Sequence, residues 1–93
     1  MTSTGECIGH LVAQLGELAG DGDFPEVAQI DFVPEEDGRT IAANVYLVDE
    51  ELNGGLPLVS AFELDPIVRD EFEIALASAR EFRRAMRLAV RRQ

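Results

Sequence analysis

The chain has 93 residues, of which 46% are hydrophobic, and this composition fits one small globular domain rather than a disordered segment. Acidic residues number 18 against 8 basic ones, and the resulting formal net charge of −10 argues against direct binding to nucleic acid or to an anionic membrane. A single cysteine excludes an internal disulfide, and the chain has neither a bilayer-spanning apolar run nor a signal-peptide pattern, so we expect a soluble cytoplasmic protein.

The first predicted element is an amphipathic helix over residues 4–19. Ser3 and Glu6 have the spacing of a capping box, in which the two residues satisfy backbone N–H groups of the first helical turn. Apolar residues then recur at steps of three and four, as one helical face requires; they are Cys7, Ile8, Leu11, Val12, Leu15 and Leu18. Gly20 is a typical residue at a helix C-terminus, so we expect the helix to end there.

Three strands are predicted next, because apolar residues alternate with a period of two in residues 26–33, 40–48 and 56–64. The Asp-Gly pair in "PEEDGR" predicts a hairpin turn between the first two strands. The side chains expected on the core face are Ala28, Ile30, Phe32, Ile41, Ala43, Val45, Leu47, Leu58, Phe62 and Leu64.

A second helix is predicted to follow, with Asp65 as its N-cap and Pro66 at its first position. Its apolar residues keep helical spacing; they are Val68, Phe72, Leu76, Ala79, Phe82, Met86 and Ala89. The order α-β-β-β-α predicts a single α+β domain over residues 1–93. We expect a two-layer sandwich, a three-stranded antiparallel sheet with both helices on one face.

The opposite face of the sheet is predicted to be apolar and uncovered, and we interpret it as a protein-binding surface. Its residues are Val27, Val33, Tyr46, Val48, Val59 and Ala61. An apolar patch of this kind favours either a homodimer, which we expect, or a partner laid across the sheet. The remaining alternative is that strand twist disperses these side chains.

Charge is distributed unevenly along the chain. Residues 1–81 contain all 18 acids and three arginines, a balance of −15, whereas residues 82–93 contain five arginines and no acid. The acids predicted to form one contact surface are Glu35, Glu36, Asp37, Asp49, Glu50 and Glu51. The basic tail comprises Arg80, Arg84, Arg87 and Arg91, which the helix dipole favours only in part. We expect the tail to contact the protein's own carboxylates, a second subunit or another anion.

Catalytic or metal-binding chemistry is not expected from the residue types present. His10 falls on the polar face of the first helix, and Cys7 lies beside the apolar stripe. With one histidine and one cysteine, the chain has no usual zinc ligand set and no complete catalytic triad. We therefore predict no catalytic residue, metal or cofactor.

The α-β-β-β-α order resembles the double-stranded RNA-binding domain. That family has lysines at the start of its second helix, where this chain has "DPIVRDEFE", so the resemblance implies topology and no function. The same order is similar to the first part of small acidic bacterial secretion chaperones, which dimerise.

The sequence thus favours a small acidic non-enzymatic protein-binding module of chaperone, immunity or regulatory type that acts as a homodimer. A second hypothesis is an acidic nucleic-acid mimic, of the kind phages use to inhibit nucleic-acid-binding enzymes. A third is a small ligand-binding or enzymatic domain with a pocket at the dimer interface.

Overall fold

The computed structural model describes residues 2–63 and 72–91, without the side chains of residues 72–79. Helix α1 spans Thr4–Ala19, and strands β1, β2 and β3 span Val27–Pro34, Thr40–Leu47 and Leu58–Glu63. A single 3-10 turn at Leu52–Gly55 precedes β3, and helix α2 is described over Phe72–Arg91. The strands form one antiparallel sheet in the order β1-β2-β3. The predicted α+β order is confirmed.

Several predictions for the start of the second helix lie outside the described residues. They concern Leu64, the cap at Asp65, Pro66, Val68 and the apolar side chains within 72–79.

Helix α1 has the predicted boundaries, and Ser3 caps its start as predicted. The Ser3 hydroxyl accepts a hydrogen bond from the Glu6 backbone N–H at 3.1 Å, which satisfies one of the N–H groups left open at a helix start. Gly20 adopts a φ of 56° and donates its N–H to the Gly16 carbonyl at 3.1 Å. A left-handed residue at this position ends the helix, and glycine adopts it with little steric cost.

The core lies on one side of the sheet, beneath both helices. Its largest fully buried side chains come from α1, the central strand and α2; they are Cys7, Leu11, Leu15, Val45, Phe82 and Met86. Phe82 places its ring centroid 5.2 Å from that of Phe32 and 5.3 Å from that of Phe62. Aromatic pairs at these distances contribute about 0.5–1.5 kcal/mol beyond the burial of their area. Phe82 therefore holds α2 against two strands at once.

The prediction of which side chains face the core is wrong at the start of β1, for Val27 and Ala28. Val27 pairs with Leu47 and Gln29 with Tyr46, so two residue steps on β1 oppose one step on β2. This irregularity is a β-bulge with Ala28 as the extra residue, and it reverses which side chains face the core. Val27 consequently packs against the core instead of lying on the open face, and Ala28 is exposed instead of buried.

The aromatic contact predicts a large stability loss when Phe82→Ala is introduced. The ring is 1% exposed, and truncating a buried phenylalanine costs about 3–5 kcal/mol. Urea denaturation measures the free energy of unfolding. Leu88→Ala is the matched control, because Leu88 lies on the same helix but is 45% exposed, and it should change stability by about 0.5 kcal/mol or less. Equal losses in both variants would contradict the placement of α2.

Candidate protein-binding site

The open face of the sheet is built from three cross-strand rows. Val33, Ala42 and Ala61 are paired across the strands and form an apolar row. The next row pairs Asp31 with Asn44 and Asn44 with Val59, and the third pairs Gln29 with Tyr46. The face is therefore apolar at the Val33 row and polar at its centre.

Most of the predicted open-face residues lie on that face with large exposed fractions. Val33 is 47% exposed, Tyr46 38%, Val48 54% and Val59 53%. Ala61 is partly buried, and the missed neighbour Ala42 is buried at the centre of the apolar row. Asp31 and Asn44 lie between the apolar row at Val33 and the row of Tyr46, and Val59 is the apolar member of their own row. The period-two alternation of side chains along the strands predicted which residues lie on this face, with the exception of Val27.

The predicted single acidic surface is two separate surfaces. Glu35, Glu36 and Asp37 lie in the turn between β1 and β2, whereas Asp49, Glu50 and Glu51 follow the far end of β2. At roughly 3.3 Å per residue, the eight residues of β2 hold the two clusters about 25 Å apart. All six side chains are exposed, so they form two contact areas at opposite ends of the sheet.

Asp37 also organises its own turn. Its carboxylate accepts hydrogen bonds from the backbone N–H groups of Arg39 and Thr40, both at 2.8 Å, and from the Thr40 hydroxyl at 2.6 Å. The Thr40 hydroxyl bond, followed by the two backbone bonds, lowers the pKa of Asp37 below its ordinary value. Asp37 is therefore a structural residue of the hairpin as well as a surface charge.

This lowered pKa predicts a pH-dependent stability difference for Asp37→Asn. The carboxylate stabilises the fold above its unfolded pKa of about 3.9, and this contribution is lost as pH falls through the lower folded pKa. The variant should melt below the wild type at pH 7, and the difference should shrink below about pH 4. Thermal melts followed by circular dichroism measure it, with Glu36→Gln as the control for removing one turn charge. A difference that stays constant at acid pH contradicts the role of Asp37.

Arg83 connects α2 to the outer edge of β1. Its Nη2 donates a hydrogen bond to the Ile30 carbonyl at 3.0 Å, and its guanidinium carbon lies 5.1 Å from the centre of the Phe32 ring. β1 is an edge strand in the described sheet, so a carbonyl on its outer side has no neighbouring strand to bond. Arg83 supplies the hydrogen-bond donor for the Ile30 carbonyl. This arginine belongs to the same helix as the predicted basic tail but lies outside that tail, and its guanidinium also stacks on an aromatic ring.

A groove of about 660 Å³ lies beside this contact, between β1 and the last turns of α2. Its apolar lining includes Phe24, Val27, Met86 and Val90, and Arg87 and Arg91 lie along its helical wall. The sequence did not predict this groove, because it forms between segments far apart in the chain. The only feature of the sequence that pointed to this groove was the four-residue spacing of Arg87 and Arg91.

The four predicted tail arginines divide into two pairs. All four are exposed, but only Arg87 and Arg91 line the groove. Arg80 and Arg84 line a second, shallower depression on α2 with Leu88, and Arg87 and Arg91 border that depression as well. The contact expected between Arg84 or Arg87 and the acidic loops stays a prediction.

The two candidate reactive side chains occupy different environments. His10 is exposed on α1, whereas Cys7 is fully buried in the core. Burial raises the pKa of the Cys7 thiol, against the opposing effect of a hydrogen bond with Ser60. Among the described residues, no group of three or more His, Cys, Asp or Glu side chains is placed to bind a metal ion.

Burial predicts that Cys7 reacts only when the fold opens. A disulfide reagent at pH 8 should modify the native thiol at least about 100-fold more slowly than the thiol in urea-unfolded protein, because opening the core costs several kcal/mol. Absorbance of the released thiolate measures both rates. Comparable rates would place Cys7 at the surface.

Comparison of the chain with protein families, with curated proteins and with solved structures gave no match. Within the described part of the chain, neither helix combines the length and apolarity that a membrane crossing requires.

Proposed function

We propose that this protein is a non-enzymatic, cytoplasmic protein-binding module that forms a homodimer through the open face of its sheet. The observation that carries the proposal is the exposure of four large apolar side chains on that face: Val33, Tyr46, Val48 and Val59. Apolar side chains clustered on an uncovered sheet favour association, because burying them removes unfavourable contact with water.

The size of the face predicts a weak dimer. Strands of eight residues give a length of about 26 Å, and three strands give a width of roughly 15 Å, so the face covers about 400 Å². A standard stable interface buries about 800 Å² on each partner. The polar pair of Asp31 and Asn44 at the centre reduces the apolar share further. We therefore expect a dissociation constant in the micromolar range or weaker.

The acidic-mimic hypothesis has less support. A mimic of nucleic-acid phosphates needs a continuous run of negative charge, and β2 separates the two acidic clusters at opposite ends of the sheet. We do not propose that function.

Charge placed on the open face should abolish the dimer. Introducing Val33→Glu together with Val59→Glu puts two carboxylates on neighbouring rows of the face that the dimer would bury, and burying unpaired charge is strongly unfavourable. Sedimentation equilibrium over about 1–500 µM measures the mass, in a range that spans weak dissociation constants. The wild type should shift from monomer towards dimer, and the variant should remain monomeric.

The matched control is Leu56→Glu together with Leu88→Glu. These two leucines are 69% and 45% exposed and lie outside the sheet, so the control adds the same charge and should still dimerise. A wild type that remains monomeric throughout would refute the homodimer, and a control that dissociates equally would show that net charge, not the face, governs association.

A further inference from the structure

We infer that the groove between β1 and α2 binds an extended segment of a partner protein in which acidic and apolar residues alternate. This inference rests on the proposed protein-binding function and names the partner's chemistry. It places the contact beside the sheet edge, away from the apolar row at Val33. The groove volume of about 660 Å³ lies within the range of roughly 300–1,000 Å³ found for sites that take small ligands or a few side chains.

The helical wall of the groove matches the spacing of an extended chain. Arg87 and Arg91 are one helical step of four residues apart, which is about 6 Å along the axis. Alternate side chains of an extended segment lie roughly 6.7 Å apart on one side. Two acids separated by a single residue can therefore each meet one arginine.

The other groove-lining residues favour an apolar residue between those acids. An intervening side chain points away from α2, towards β1, where Phe24 and Val27 lie. Glu26 and Asp31 border the same side of the groove, and they would repel a third acid placed there. Arg87 and Arg91 on one side of the groove and Glu26 and Asp31 on the other therefore orient the bound segment. They also disfavour a segment that has acidic side chains on both of its sides.

The protein's net charge of −10 does not prevent this binding. Charges separated by more than the Debye length, about 8 Å at physiological ionic strength, are largely screened. A carboxylate in the groove is close to Arg87 and Arg91, while the acidic turn between β1 and β2 lies at the opposite end of β1. The loop that begins at Asp49 is nearer, because the Val48 N–H donates to the carbonyl of the groove residue Glu26 at 2.9 Å, but its acids do not line the groove. The local arginines therefore dominate at contact.

The segment is expected to bind through its side chains and not as an added strand of the sheet. Strand addition requires the outward-facing backbone groups of the edge strand. Arg83 already donates to the Ile30 carbonyl, one of those groups on β1. The proposed contact leaves that hydrogen bond in place.

Fluorescence anisotropy with a labelled synthetic peptide tests the inference. The probe peptide alternates aspartate or glutamate with leucine or phenylalanine, and the control peptide has the same composition with its acids and apolar residues in separate blocks. The full chain should bind the alternating peptide saturably and at least about threefold more tightly than the control, because a block of acids also places an acid on the β1 side of the groove, where Glu26 and Asp31 repel it.

Two charge-reversal variants on the same helix locate the site. Arg87→Glu with Arg91→Glu should weaken binding by about tenfold or more, since two ion pairs become two repulsions. Arg80→Glu with Arg84→Glu makes the same charge change at residues that do not line the groove, and it should weaken binding clearly less than the Arg87 and Arg91 reversal, by about threefold at most. Circular dichroism checks that both variants fold, and Arg87→Gln with Arg91→Gln provides a milder second test, expected to weaken binding less than reversal.

Three results would overturn the inference directly. They are equal weakening by both reversals, equal binding of both peptides, and no saturation by the alternating peptide. Self-association lost only in the Arg87 and Arg91 reversal would assign the groove to a second copy, which also overturns it. The Val33→Glu, Val59→Glu variant should bind the peptide like the wild type, so failure of the dimer and failure of the groove are separable.

Discussion

The packing of Phe82 against Phe32 and Phe62 determines where α2 lies on the sheet. The three rings come from β1, β3 and α2, with centroid separations of 5.2–6.3 Å. Because these contacts sit on the core face, α2 covers that face together with α1, and no element within residues 2–63 and 72–91 covers the opposite face. The same placement brings the arginines that follow Phe82 to the outer edge of β1. The two proposed binding surfaces therefore both depend on this one contact.

The arginines of α2 in this acidic protein have a structural role at Arg83 and a proposed binding role at Arg87 and Arg91. Arg83 bonds the Ile30 carbonyl and lies over Phe32, so it stabilises a strand edge that would otherwise face solvent. Arg87 and Arg91 line the groove, and arginines spaced by four repel one another by about 0.2–0.5 kcal/mol per pair. A bound carboxylate would relieve that repulsion. The helix dipole adds a favourable contribution of about 0.3–1 kcal/mol for a charge in the last turn.

The sequence predicted the elements whose causes are local. Ser3 and Gly20 mark the ends of α1, and the period-two alternation marks the strands and most of their faces. The bulge at Ala28 was not predictable, because Val27 and Ala28 are both small apolar residues and either one fits the core side of an alternating strand. The separation of the two acidic clusters follows from strand order and could have been inferred. The groove depends on how α2 crosses β1, which no local pattern specifies.

The placement of both helices on one face of the sheet is tested most directly by the relaxation of valine methyl groups by a paramagnetic agent dissolved in the solvent. The relaxation is recorded at increasing protein concentration. Val45 should be protected at every concentration because it is fully buried in the core. Val33, Val48 and Val59 should be accessible in dilute solution and become protected as copies associate. Protection of Val33 and Val59 in the most dilute sample, or accessibility of Val45, would contradict a sheet with one covered and one open face.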